Sequence, residues 1–336
     1  MKVMTFSRAI ESALMQAMGE DRRIVIIGED VHALRREILV RFGKDRVIAA
    51  PISEAAFVGA AVSAAMAGLR PVVEVMLVDF IGTAMDALLN HAAKVEYFSG
   101  GAWKVPLVVR AACGGWYGDG GQHEQSLWGW LAHIPGLSVV VPSTPADAAG
   151  LMLSAVSHDG PVIYLEHKLL SDYWLEALGS GGRKTVAYDV PRDGAEGPVP
   201  EPLQPVSLGK ARIVREGKDI AMVSVGVGVH RAVEASSWLE EQNISALVLD
   251  LRSISPLDRE AVRDAAAKTG RLLVVDEDYR DFGLSGEIAA TVFEADIPAK
   301  FARVCVEDTI PYDRVREEET LPSTRRIIEA SKRLLG

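Results

Sequence analysis

The sequence predicts an α/β protein: a doubly wound, mainly parallel sheet followed by a smaller α/β domain. Three observations predict it. Strand-like and helix-like segments alternate through the first half, the pattern that places helices over both faces of a parallel sheet. The strand-like segments are near-continuous runs of Val, Ile and Leu, as strands covered on both sides require. A proline-rich break then separates this half from a second, shorter alternation. A chain of 336 residues suits about two domains with substantial cores. The expected division is 1–186, a linker at 187–205, and 206–336.

In the first half, strands are expected at 24–28, 46–50, 70–75, 105–111, 137–141 and 161–166. Helices are expected at about 7–18, 54–67, 83–97, 126–132 and 145–157. The stretch 187–205 holds Pro191, Pro198, Pro200, Pro202 and Pro205 with charges between them, which reads as an exposed linker or long loop. Beyond it, strands are expected at 220–225, 245–251, 271–276 and 303–306, with helices near 230–241, 258–268 and 285–295. An amphipathic helix at 323–334 closes the chain.

Composition narrows the function. A net charge of −10 lacks the basic footprint of a nucleic-acid binder. Cys113 and Cys305 lie far apart and offer neither a disulfide framework nor a metal motif, so a reducing, cytoplasmic setting is expected. The N-terminus has no signal-peptide pattern. The uncharged run 55–69 is too short and small-sided to span a membrane.

In parallel α/β sheets, ligands bind beyond the carboxyl ends of the strands. The second strand delivers Ser53 and Glu54, with Ser53 in the position of an N-cap. Glu54 is the one charge at the mouth of an otherwise apolar helix. It either complements the helix dipole or faces a cavity, an interface or a ligand. The third strand delivers Phe80, a platform for a flat ring or a core residue. The fourth delivers a glycine-rich loop running to His123, an imidazole placed for proton transfer or a capping residue. A carboxylate, an aromatic and an imidazole on one sheet edge weigh more together than singly.

Two motifs fail. Gly226-Val227-Gly228 with Asp250 resembles a dinucleotide fingerprint, but Arg231 stands where Gly or Ala is needed. Gly118-Asp119-Gly120 resembles the start of the diphosphate–magnesium motif of thiamine enzymes. The Asn that should follow is missing, since the chain holds only Asn90 and Asn243.

With these residues in view, the chain resembles the β subunit of 2-oxo acid dehydrogenase E1 components, a transketolase-like group of pyruvate, branched-chain and acetoin enzymes. The matching stretches run in order from about residue 4 to 335. They include Gly28-Glu29-Asp30-Val31, Pro51-Ile52-Ser53-Glu54, Ala64-Ala65-Met66-Ala67-Gly68-Leu69-Arg70-Pro71, Gly121-Gln122-His123, Pro142-Ser143-Thr144-Pro145 and Leu165-Glu166-His167-Lys168.

The resemblance implies a pyrimidine-binding domain followed by a C-terminal transketolase-like domain. It implies thiamine diphosphate shared with an α subunit in an α2β2 heterotetramer, with Mg2+ held mainly by the α subunit. It also implies acyl transfer to lipoyl-E2, whose peripheral subunit-binding domain meets the C-terminal half. Glu54 matches the activating glutamate that hydrogen-bonds the aminopyrimidine, Phe80 the aromatic against that ring, and His123 the histidine near substrate. Glu29 is expected to line the cofactor cavity. Leu107, Ala155, Val156, His158 and Gly160 align with a structural potassium (K+) loop of some members, with His158 replacing a common Asp.

Glu124 stands where Ser is frequent, and a carboxylate there would raise the His123 pKa or alter substrate choice. Trp116 and Tyr117 are expected to narrow the substrate entrance. Two other readings share these residues: a split transketolase-like subunit, and a docking subunit whose site has decayed.

Overall fold

The computed structural model describes residues 1–180 and 188–336, so the expected boundary at 186/187 lies outside the described residues. The strands are β1 (Lys2–Thr5), β2 (Ile24–Gly28), β3 (Val47–Ala49), β4 (Arg70–Leu77), β5 (Val108–Cys113), β6 (Ser138–Val140) and β7 (Val162–His167). They continue as β8 (Glu196–Val199), β9 (Arg212–Arg215), β10 (Ile220–Ser224), β11 (Ala246–Asp250), β12 (Ser253–Ser255), β13 (Arg271–Tyr279) and β14 (Lys300–Val306).

The larger sheet has the order β12-β6-β7-β5-β4-β2-β3, parallel except for β12, which runs antiparallel to β6. The smaller has the order β14-β13-β10-β11-β9, parallel except for β9. Alternate residues of each strand point to opposite faces. Val72, Val108, Val162 and Tyr164 therefore enter a core under helices Phe6–Glu20 and Pro145–Ser157. Val73, Val109, Ile163 and Leu165 enter the core on the other face. That second core continues through Val223, Leu249 and Val274 of the smaller sheet, so the two sheets share apolar packing.

Two expectations need correcting. The single helix at 83–97 is instead a 3₁₀ segment (Val78–Ala84), a π-helical segment (Ala87–Ala92) and a short α-helix (Val95–Phe98). The buried residues explain the start: Val78, Ile81 and Ala84 repeat every third position, which a 3₁₀ turn aligns on one side. The stretch 187–205 is not simply a loop. Its Glu196–Val199 pairs antiparallel with β1, and Val199 is fully buried.

Helix Glu54–Met66 lies over the sheet near the edge where the site forms. Phe57, Val58, Ala61, Val62 and Ala65 are buried, and Phe57, Val58 and Val62 contribute roughly 1.5–3 kcal/mol each. The opposite side, Ala55, Ala56, Ala60, Ser63 and Met66, is bare in the single chain, as are the flanking Ile52 and Leu69. The helix is thus apolar all round but only half covered by its own chain.

Candidate active site

Strand register puts the carboxyl ends of β2, β3, β4, β5 and β7 along one edge, with Gly28 opposite both Ala49 and Glu74. Glu29 follows β2. Its carboxyl is buried, and burial first, then the charges of Glu54 and Asp30, raise its pKa above the ordinary carboxyl value. Glu29 and Glu54 are thus near enough to interact electrostatically. Glu54 opens helix Glu54–Met66 and is half-buried. Thr83 Oγ1 lies 3.5 Å from its Oε2, and that hydroxyl is better engaged with Phe80 O at 2.9 Å. Ser53 holds the cap position without a cap bond, since its hydroxyl turns back to Pro51 O.

Phe80, after β4, is partly buried and meets the His123 imidazole edge-on, with ring centroids 5.8 Å apart at 83°. Thr83, bonded to Phe80 O, links this pair to the Glu54 carboxylate. Behind His123 the loop is held by charge. Lys168, fully buried at the end of β7, donates from Nζ to His123 O at 2.6 Å and lies 4.8 Å from the Tyr117 ring centroid. Buried Glu124 accepts from Tyr117 N (2.6 Å) and Gly120 N (3.1 Å). Buried Glu317 accepts from Trp116 N (2.5 Å) and Gly118 N (3.3 Å).

Burial lifts the Glu124 carboxyl to about 8 against the pull of Lys168, and Glu317 adds to the rise. Burial likewise lowers the Lys168 pKa against the pull of Glu124. Gln125 is clamped between Asp79 Oδ1 (2.7 Å) and the Tyr279 hydroxyl (2.9 Å). At the loop's start Gly114 has φ +93, and a Cβ there would fall 2.0 Å from His167 Nε2, so only glycine fits. That nitrogen pairs with Glu277 Oε1 at 3.0 Å, while Nδ1 accepts from Leu169 N.

Glu124 therefore turns its carboxylate to the loop amides. Trp116 and Tyr117 do not line an entrance. Both are buried, Tyr117 with its hydroxyl on Lys168 O and Trp116 beneath Arg231. Sequence reasoning did not single out Lys168, Glu124 and Glu317 as the supports of His123. The signal available for Lys168 was a lysine directly continuing a buried strand.

Below the crevice lies a charged layer that the strand reading missed. Arg35 Nε reaches both oxygens of Glu74 (2.7 and 2.9 Å), and Arg110 bridges Glu74 (3.1 Å) and Glu166 (2.8 Å). Trp174 Nε1 donates to Glu166. Burial alone would raise the Glu74 pKa, but Arg35 and Arg110 hold it below the ordinary range. These side chains pair with one another under the crevice, with Arg110 Nε left unmatched.

The remaining candidates lie elsewhere. Leu107, Ala155 and Val156 are buried and His158 is exposed, at the turn after helix Pro145–Ser157. There Arg70 donates to Val156 O (2.8 Å) and His158 O (2.6 Å). Asp250, the acid of the failed dinucleotide motif, is buried against Ser143 and Arg212. Among the described residues no group of three or more His, Cys, Asp or Glu side chains could hold a metal ion. No helix among them is long and apolar enough to cross a membrane.

This arrangement has counterparts. Residues 2–172 match the transketolase pyrimidine-binding domain, and residues 209–327 the transketolase C-terminal domain. The chain is 37% identical to the acetoin:2,6-dichlorophenolindophenol oxidoreductase subunit beta of Bacillus subtilis, covering 100% of this chain and 98% of that one. It is 35% identical to the 2-oxoisovalerate dehydrogenase subunit beta of Bacillus subtilis, over 99% of both. It is also 35% identical to the pyruvate dehydrogenase E1 component subunit beta of Rickettsia conorii, over 98% of both.

The chain belongs to the transketolase-like E1 β-subunit family.

A solved split-gene transketolase, described as an inactive beta4 tetramer, shares the E1 β fold with a TM-score of 0.78. It is 21% identical and covers 99% of this chain and 98% of its own. In this E1 β chain the crevice offers carboxylates and an aromatic ring, which suit a flat, nitrogen-bearing ring such as an aminopyrimidine.

Proposed function

We propose that this chain is the β half of a thiamine diphosphate-dependent E1 enzyme. It would decarboxylate a 2-oxo acid, or cleave acetoin, and pass the acyl group to lipoyl-E2. The observation that carries the reading is the Phe80–His123 ring contact, linked through Thr83 to the Glu54 carboxylate at the same sheet edge. Bound there, the cofactor supplies an electron sink for cleavage next to the carbonyl. Glu54 would hold a proton at the pyrimidine ring nitrogen. Glu29, whose carboxyl pKa is raised by burial and by Glu54, would line the ring's pocket. Phe80 would pack against the ring, and His123 would move or hold a proton beside the substrate carbonyl.

The diphosphate and Mg2+ would sit on an α subunit, in an α2β2 heterotetramer. The bare side of helix Glu54–Met66, with Ile52 and Leu69, supports a partner chain there. We place the domain division at the 187–205 region, the lipoyl-E2 peripheral subunit-binding domain on the C-terminal half, and the enzyme in the cytoplasm. Two buried free thiols suit that compartment.

The test is assembly with the α chain followed by turnover with a lipoyl acceptor and with a sugar-phosphate acceptor. Glu54→Gln should fold normally and lose turnover. Near-normal turnover in that variant removes the mechanism, and preference for the sugar phosphate turns the reading to a transketolase. Failure of the assembly to bind thiamine diphosphate leaves a decayed docking subunit.

A further inference from the structure

Four of the five residues that align with a structural potassium loop, Ala155, Val156, His158 and Gly160, lie at the end of helix Pro145–Ser157 and the turn after it. We propose that the Arg70 guanidinium permanently fills the cation position of this turn, so that the chain takes no potassium there. The inference stands on contacts remote from the crevice and does not depend on the proposed reaction.

Arg70 opens β4, and its side chain is only 10% exposed. From there it reaches the end of the neighbouring helix. Nε donates to Val156 O at 2.8 Å, Nη2 to His158 O at 2.6 Å, and Nη1 approaches Asp159 Oδ1 at 3.3 Å. A helix ends with carbonyls that lack intrahelical partners and carry partial negative charge, so a cation is favoured at this place. Here the protein supplies its own.

Two of the three other oxygens are engaged as well. Leu107 O accepts from Val162 N (2.8 Å), and Ala155 O accepts from His158 N (3.2 Å). A potassium ion held by carbonyls needs their lone pairs turned toward a common centre in place of its water shell. Two of these carbonyls already point at a guanidinium. An ion sharing those oxygens would sit about 4 Å from it, and at an effective dielectric near 20 that repulsion weakens binding roughly a thousandfold.

The available negative charge is also committed. Asp159 takes Arg70 on one oxygen and Lys104 Nζ on the other at 3.0 Å, and these two cations hold its carboxyl below the ordinary range. His158 adds no carboxylate. The turn thus balances one Asp with two cations, leaving no negative surplus for a third.

The experiment compares thermal unfolding of the assembled protein in potassium chloride and in choline chloride at equal ionic strength, for wild type and for Arg70→Gln. Rubidium-soaked crystals examined for anomalous signal give a second readout. Wild type should unfold at the same temperature in both salts, and rubidium should leave no peak at the turn. Arg70→Gln, with the guanidinium gone, should gain a saturable, potassium-specific rise of about 2–4 °C. If Arg70→Gln does not fold, Arg70→Met takes its place. A saturable potassium-specific rise in wild type, or a rubidium peak among the Leu107, Ala155, Val156, His158 and Gly160 carbonyls, overturns the proposal. A variant no more responsive than wild type overturns the role given to Arg70.

Discussion

On one wall of the crevice, half-buried Glu54 has a single long approach from Thr83, at 3.5 Å, and sits on a helix whose outer side is bare. On the other wall, His123 hangs from a loop whose amides at Trp116, Tyr117, Gly118 and Gly120 are all taken by buried carboxylates, with Lys168 bound to the histidine's own carbonyl. The His123 wall is held by hydrogen bonds from within the chain. The Glu54 wall has unspent hydrogen-bonding capacity beside an uncovered apolar face. Stability and activity should therefore separate: damage to the Glu54 wall should be read in turnover, and damage to the His123 wall in folding as well.

Glu54→Gln is the sharpest break of this comparison. Losing proton control at a reacting ring costs roughly 10²–10⁴ in rate, so kcat/KM of the assembled enzyme should fall by about that factor. The unfolding free energy should stay within about 0.5 kcal/mol, because no strong native contact is lost and the repulsion with Glu29 is relieved. A large loss of stability in this variant would mean that Glu54 is a structural residue and the two walls are alike.

Glu317→Ala tests the opposite wall. It removes the acceptor of Trp116 N and Gly118 N inside a buried site and leaves both amides unmatched. Each orphaned group costs about 1–3 kcal/mol, so a loss of roughly 2–6 kcal/mol is expected in urea unfolding. Hydrogen exchange at residues 116–120 should speed up as the loop loosens. Unchanged exchange would show that the loop is held by something other than its carboxylates.

The unequal walls also explain what the sequence discloses. Glu54, Phe80 and His123 are legible because a parallel sheet carries whatever follows each strand to one edge, and their residue types are unusual there. The strands are legible because burial on both faces leaves unbroken apolar runs. Glu317 is not legible, since it meets Trp116 across 201 residues and looks like any acid in the run Glu317-Glu318-Glu319. Arg35, Glu74, Arg110 and Glu166 read as scattered charges because only the fold pairs them. The 78–98 region defeats a helical reading, as its apolar spacing changes along the way. Arg70 reads as the end of a turn and gives no hint of the carbonyls it caps.

A smaller effect should appear with pH. The Glu124 carboxyl sits at about 8 in the fold against an ordinary 4.5 when unfolded, chiefly through burial. Between those values the folded state binds the extra proton. Its contribution is therefore full below about 4.5, is lost as pH rises toward 8, and stays lost above that. Lys168, lowered by burial from its ordinary 10.5, gives the opposite slope on the alkaline side, where the unfolded chain holds the extra proton. Glu124→Gln should flatten the decline between pH 5 and 8, measured as unfolding free energy in urea at each pH. The same slope in variant and wild type would assign the decline to other groups, such as Asp250 and Asp276, which burial raises to about 6.

The smallest expected effect concerns Thr83, and its smallness is what makes it informative. The Thr83 hydroxyl is exposed, lies 3.5 Å from Glu54 and is already bonded to Phe80 O. At that distance it offers little to a carboxylate in reach of water. Thr83→Ala should therefore change unfolding free energy by less than about 0.5 kcal/mol and leave kcat/KM within about threefold. If turnover instead falls as far as in Glu54→Gln, the chain orients its own carboxylate through Thr83, and the Glu54 wall is preorganised after all. A change confined to KM would place Thr83 against a bound ligand, still leaving Glu54 to be positioned by what binds beside it.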